Sequence, residues 1–156
     1  MRGYELTSLL QRDWRVRKTF RGVFPSDKLP RLPHGITHSL VVNLDTHDKP
    51  GTHWCSIFIS AHGDLMYFDS FGLPPLIPDI IQFIKRQSRI FRYNTMILQN
   101  VLSSTCGLYA IYCIERMCRG DSLKCLLSKF NVYSTLYNDK LIISLYSQRL
   151  RTLSRT

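Results

Sequence analysis

Carboxylates are scarce in this chain. Its 156 residues hold 11 Asp and Glu against 21 Lys and Arg, a formal net charge of +10, with a calculated pI near 9.7. Such an imbalance points to a polyanionic partner, although a merely soluble basic surface has the same composition. Long apolar runs are also missing. None approaches the roughly 20 residues a membrane-spanning helix needs, and Arg2 and Glu5 occupy the place of an apolar signal core. The expected product is soluble, not secreted and without a membrane partner. No Cys-x-x-Cys pair occurs, and the five cysteines are an odd number. Neither a disulfide framework nor a zinc site is therefore expected, no metal is assigned, and free thiols suit a reducing intracellular compartment. Internal repeats and nucleic-acid recognition motifs are absent too.

What is present fits one domain spanning 1–156, with 44% of residues apolar and 12% aromatic, enough for a substantial core. Leu6, Leu9 and Leu10 have helical spacing in a short amphipathic helix from Tyr4 to Trp14. Pro25, Pro30 and Pro33 then predict an irregular extended connector. Three neighbouring antiparallel strands follow: Ser39–Leu44, Trp54–Ser60 and Leu65–Asp69, the last two joined by a hairpin at Ala61-His62-Gly63-Asp64. Further elements are a helix from Asp79 to about Arg89, a strand from Tyr93 to Leu98, a helix opened by Cys106 and ending by Gly120, and helices over Ser122–Phe130 and Asp139–Leu153. The expected class is α+β, a central mixed or antiparallel sheet packed on helices.

Cys106 is the residue with the sharpest chemical meaning. It follows the hydroxyl run Ser103-Ser104-Thr105 and precedes an apolar stretch, the usual opening of a buried helix, where hydroxyls can accept bonds from unpaired N–H groups. A thiol there ionises more readily because the helix dipole favours negative charge. A packed, inert Cys suits the same place. Cys113, Cys118 and Cys125 read as small apolar residues on buried helix faces. His53 opens a strand after the turn-prone Lys49-Pro50-Gly51-Thr52, so its ring can stand at a sheet edge and take a thiol proton; an ordinary loop histidine is the alternative. Asp69 ends the neighbouring strand, where it can orient that imidazole or simply begin a turn. Gln99, seven residues before Cys106, can donate to an oxyanion together with the Cys106 N–H, or be a solvated loop amide. His34, His38, His47 and His62 read as surface residues.

The ordered set Gly51-x-His53-Trp54, Tyr67-Phe68-Asp69-Ser70-Phe71-Gly72, Gln99 and Ser104-Thr105-Cys106-Gly107-Leu108-Tyr109 resembles the adenain family of viral cysteine proteases and the related proteases of Polinton (Maverick) transposons and adintoviruses. Phe20 to Pro30 is similar to the segment before that family's first strand, so the resemblance runs from about residue 4 to 120. It implies a cysteine-protease fold with the nucleophile at the N-terminus of a buried central helix. It further implies that Cys106 is nucleophile, His53 general base and later acid, Asp69 the orienting acid and Gln99 the oxyanion donor. The implied activity is a cysteine endopeptidase that cleaves viral or transposon capsid and core precursors during particle maturation, in host nucleus and virion or another reducing intracellular compartment. Adenain has Glu where this chain has Asp69, whereas relatives that cut ubiquitin-like modifiers use Asp; a SUMO or ubiquitin-like deconjugating protease is thus the alternative.

No cofactor is required for this chemistry. Adenain is stimulated by DNA and by a peptide disulfide-linked to a Cys upstream of the nucleophile. No Cys lies between Cys55 and Cys106, so an activating peptide here is expected not to be disulfide-linked. Non-specific DNA is expected as a partner and activator, held through phosphates by Arg15, Arg17, Lys18, Arg21, Lys85, Arg86, Arg89 and Arg92. A further basic cluster is Arg149, Arg151 and Arg155.

Overall fold

A computed structural model describes residues 1–153. Its centre is a five-stranded sheet in sequence order: β1 (Phe20–Pro25), β2 (His38–Asn43), β3 (Trp54–Ile59), β4 (Asp64–Phe68) and β5 (Ile90–Tyr93). The three inner strands are antiparallel, and the two edge strands run parallel to their neighbours. The mixed α+β class is therefore the observed one. β3 and β4 are joined by the expected hairpin, closed by bonds from the Ser60 N–H to the Asp64 carbonyl and from the Gly63 N–H to the Ser60 carbonyl.

Alternation along the strands sends side chains to two separate cores. Val41 and Phe68 enter one, with α1 (Gly3–Gln11), α2 (Trp14–Thr19), α4 (Cys106–Cys118), α5 (Leu123–Leu127) and α6 (Thr135–Leu153). Leu40, Val42, Ile57, Leu65 and Tyr67 enter the other, covered by α3 (Pro78–Gln87) through Ile80, Phe83 and Ile84. Helix α4 is buried from Cys106 through Glu115. It lies so close to α1 that a Cβ on Gly107 would come within 3.1 Å of Leu6 and Met1.

Several expectations are corrected. The first helix breaks at Asp13, whose carboxylate accepts from the Arg15 N–H and starts α2. Phe20–Pro25 is an edge strand instead of a connector, since Pro at the end of an edge strand removes no needed ladder bond. The strand expected over Tyr93–Leu98 lies at Ile90–Tyr93. It stops because the Asn94 side chain turns to bond with Asp69. Helix α5 is shorter than expected, and α6 begins four residues earlier. Cys113 is buried as expected, but Cys118 is half-buried and Cys125 exposed. His38 is buried, not on the surface: Arg21 Nε donates to its Nδ1 at 2.7 Å, and its Nε2 meets the Pro33 carbonyl at 2.8 Å.

Ile111 lies at the centre of α4 and is wholly buried, whereas Leu102 is 95% exposed. Ile111→Ala is expected to lower unfolding free energy by about 2–5 kcal/mol, because the cavity cannot collapse in a core this tight. Leu102→Ala should change it by no more than about 0.5 kcal/mol. Urea unfolding of the two variants checks the contrast.

Candidate active site

Three chain segments end at the same edge of the sheet. His53 immediately precedes β3, Asp69 immediately follows β4, and Cys106 opens α4, which packs on β3. Because β3 and β4 are antiparallel, the start of one and the end of the other are neighbours. His53 Nε2 lies 2.8 Å from Asp69 Oδ1, and the Cys106 thiol is an electrostatic neighbour of the same imidazole. His53 is 9% exposed, Asp69 2% and Cys106 7%. The ring of Phe71 stacks on His53 with centroids 4.9 Å apart. Water is thus largely excluded from the pair.

Asp69 is fixed from several directions. Its Oδ1 also accepts from the Phe71 N–H at 2.8 Å, its own N–H donates to Asn94 Oδ1, and its carbonyl accepts from Asn94 Nδ2. The turn that follows depends on Gly72, at φ +69°, where a Cβ would come within 2.8 Å of the Thr95 carbonyl oxygen and within 2.9 Å of the Met96 carbonyl group. Ser70 links this turn to the next loop: its carbonyl accepts from the Leu98 and Gln99 N–H groups, and its hydroxyl donates to Gln99 Oε1 at 2.7 Å. Gln99 is buried, and its Nε2 donates to the Ser103 carbonyl at 2.8 Å. Gln99 is therefore not the solvated loop amide that was the alternative reading of its position.

Electrostatics separate the buried thiols. Burial opposes ionisation of Cys106, but the bond to His53, backbone bonds from Trp54 and Gly107 and the charge on His53 outweigh it. The thiol is held below its ordinary value of 9.0. Burial also opposes protonation of His53, yet its bonds to Asp69, Cys106 and Cys55 push it up to about 12. Cys55, also bonded to His53 and accepting from the Tyr67 hydroxyl at 3.1 Å, is pushed up by burial to about 11. The pairing thus favours thiolate at Cys106 and imidazolium at His53, while burial favours the neutral thiol at Cys55. His53, Cys55 and Asp69 bring nitrogen, sulfur and oxygen within 4.8 Å of one another. The 2.8 Å between His53 and Asp69 is nevertheless the spacing of a shared hydrogen.

The residues proposed from charge are not brought together. Arg15, Arg17 and Lys18 lie on α2, which leads into β1, while Lys85 and Arg86 lie in the last turn of α3, Arg89 precedes β5 and Arg92 lies within it, at the opposite edge of the sheet. Arg15 and Lys18 both lie over the Trp14 ring, and Arg21 is engaged with His38. Arg149 is taken up by Glu115 and the Leu9 carbonyl; Arg155 lies outside the described residues. Arg86 and Arg89, with His34 and His62, border a cavity of about 620 Å³ at the end of the sheet away from His53. A second cleft, about 420 Å³, is lined by Tyr4, Phe24, Gly51 and Trp54 beside His53. Sequence reasoning missed Asn94, Ser70 and the Asp139 carboxylate. Each bonds a site segment distant in sequence, so no local pattern marks it.

No family model matches the sequence. Over 113 residues the chain is 33% identical to a protein of Acanthamoeba polyphaga mimivirus named as a thiol protease, covering 65% of this chain and 36% of that protein. In structure it is similar to the ASFV pS273R protease, with a TM-score of 0.62 at 18% identity, covering 88% of this chain and 65% of that one. The fold is that of a cysteine protease. It is also similar to the central domain of the Legionella pneumophila protein Lpg1148, with a TM-score of 0.55 at 13% identity over 100% of this chain and 98% of that domain. The chain thus spans about a third of the length of the mimivirus relative.

A pH profile tests the ion pair. Alkylation of Cys106 by iodoacetamide should rise with a midpoint below 9.0 and stay high through alkaline pH, because the lowered thiol ionises first and His53 keeps its proton until about 12. In His53→Ala, burial is less opposed and the midpoint should move upward. An unmoved midpoint would show that the imidazole does not set the thiol's acidity.

Proposed function

We propose that this chain is a cysteine peptidase, with Cys106 as nucleophile, His53 as acid and base, Asp69 as the acid that orients it and Gln99 as oxyanion donor. The observation that carries the reading is a buried imidazole bonded to Asp69 at 2.8 Å, with the Cys106 thiol, at the start of α4, as its electrostatic neighbour. A thiolate attacks the scissile carbonyl carbon, and the carbonyl oxygen becomes an oxyanion that the Cys106 N–H and Gln99 are suited to receive. His53 then gives its proton to the leaving amine, leaving an acyl-thioester on Cys106. With Asp69 holding Nε2–H, the other ring nitrogen accepts a proton from the water that hydrolyses this thioester.

The substrate is a protein, and we assign it to the capsid and core precursors of a virus or transposon. The resemblance to adenain-type proteases supports that assignment, while the name of the mimivirus relative, a thiol protease, supports only a protein substrate. The cleft beside Trp54 is the natural seat for the chain leading to the scissile bond. Non-specific DNA as partner and activator is supported by the +10 charge alone, and the separation of the two basic clusters favours several weak contacts over one groove. An activating peptide, if used, binds without a disulfide. The host nucleus and virion, or another reducing compartment, agree with five free thiols. Asp at position 69, instead of Glu, favours the second reading, a protease of ubiquitin-like conjugates.

Cys106→Ala is expected to lower cleavage of a cognate precursor by roughly 10⁴-fold or more; a variant as fast as wild type would end the proposal. Rapid turnover of a fluorogenic SUMO or ubiquitin C-terminal probe would select the second reading. DNA affinity should fall steeply between 50 and 200 mM salt, conditions over which proteins with several phosphate contacts lose about 10³-fold or more. A flat response in a filter-binding titration would remove DNA from the account.

A further inference from the structure

Gln99 and Cys106 belong to one loop, and both are flanked by residues bonded to α6. Before Gln99, the Leu98 carbonyl accepts from Asn138 Nδ2 at 3.2 Å; after it, the Asn100 N–H donates to Asp139 Oδ2 at 3.1 Å. Immediately before Cys106, the Thr105 hydroxyl donates to Asp139 Oδ1 at 2.9 Å, and one turn into α4 the Tyr109 hydroxyl donates to the same oxygen at 3.0 Å. Thr105 occupies the cap position of α4, yet its side chain makes no bond to the helix. Its hydroxyl is committed to Asp139 instead.

Asp139 is 6% exposed, and among the described residues its carboxylate accepts from two hydroxyls and one backbone amide, none of them a cation. A buried carboxylate without a counter-ion is costly unless its oxygens are saturated with donors. Mere attachment of α6 does not require it, because Ile142, Tyr146 and the Arg149–Glu115 pair already bind that helix to α4 and α1. The donors it gathers come from the segment between Gln99 and Cys106 and from the first turn of α4.

We propose that Asp139 is a positioning residue of the active site: through Asn100 and Thr105 it holds Gln99 and Cys106 in the mutual geometry that receives the oxyanion. This rests on the cysteine-peptidase reading above. Asp139→Asn keeps the shape but cannot accept at every oxygen position. On an N-acyl-glycine p-nitrophenyl ester it should lower kcat at least 10-fold with KM within about 3-fold of wild type. Alkylation of Cys106 by iodoacetamide, which forms no oxyanion, should stay within about 3-fold. Thr105→Val should reproduce the loss and Thr105→Ser restore most of it. Hydrogen exchange at the Asn100 amide should accelerate in Asp139→Asn while the α4 amides stay protected. Wild-type kcat in a folded Asp139→Asn, an equal loss of turnover and alkylation, or an unchanged Asn100 amide would each overturn the proposal. A wild-type protein that neither hydrolyses the ester nor alkylates faster at Cys106 than at Cys125 would instead sink the peptidase reading. Asn100 exchange would then judge the clamp alone.

Discussion

The arrangement depends on one buried imidazole shared by an acid and a thiol. Burial alone would disfavour both charged forms, lowering the pKa of a histidine and raising that of a cysteine. Cys113 shows the effect of burial: buried in the same helix as Cys106 but with no imidazole beside it, its thiol is pushed up to about 12. Cys106 moves the other way because His53 and the backbone N–H groups of Trp54 and Gly107 converge on its sulfur. Two thiols of α4, seven residues apart, thus differ in chemistry through partners that come from β3 and from the helix start.

Such convergence requires a rigid frame, and most of it consists of polar contacts between segments distant in sequence. Asn94 closes a two-way amide bridge with the backbone of Asp69, 25 residues away. Ser70 then joins that turn to Gln99, and α6 grips the same loop from its other side. The order of the chain brings Asp69, Gln99 and Cys106 to adjoining segments at one end of the sheet. The opposite end, with its basic cavity, is free of these restraints.

How much of this could be read from the sequence follows from how local each signal is. Strands β2 to β4 were legible because apolar runs are bounded by Asp48-Lys49-Pro50-Gly51 and by the His62-Gly63 turn. Helix α4 was legible from the nearly all-apolar stretch Leu108–Ile114 after a hydroxyl run, and the structure buries it from Cys106 through Glu115. His53, Asp69 and Cys106 stood out as polar residues placed where such runs begin or end. Edge strand β1 was missed and β5 placed too late because parallel partners have no connecting turn to announce them, and Pro25 argued against β1. His38 read as a surface residue because its burial depends on Arg21 and the Pro33 carbonyl. Thr105 was expected to cap its helix, the ordinary local use of a hydroxyl, and was overruled by Asp139, 34 residues later.

Gln99 carries the same lesson into the proposed chemistry. An amide has one acceptor oxygen and an NH₂ group with two hydrogens. The Ser103 carbonyl, which can only accept, takes one hydrogen and so settles which end of the amide is which, and the Ser70 hydroxyl donates to the oxygen. The second hydrogen is left for another acceptor. A neutral carbonyl would gain only a weak bond from it, whereas a developing oxyanion, being charged, would gain roughly twice as much. Locking the amide in advance spares the reorganisation that a mobile Gln would undergo at the moment of attack. The two bonds that seem to occupy Gln99 are therefore what make its remaining hydrogen selective for the transition state.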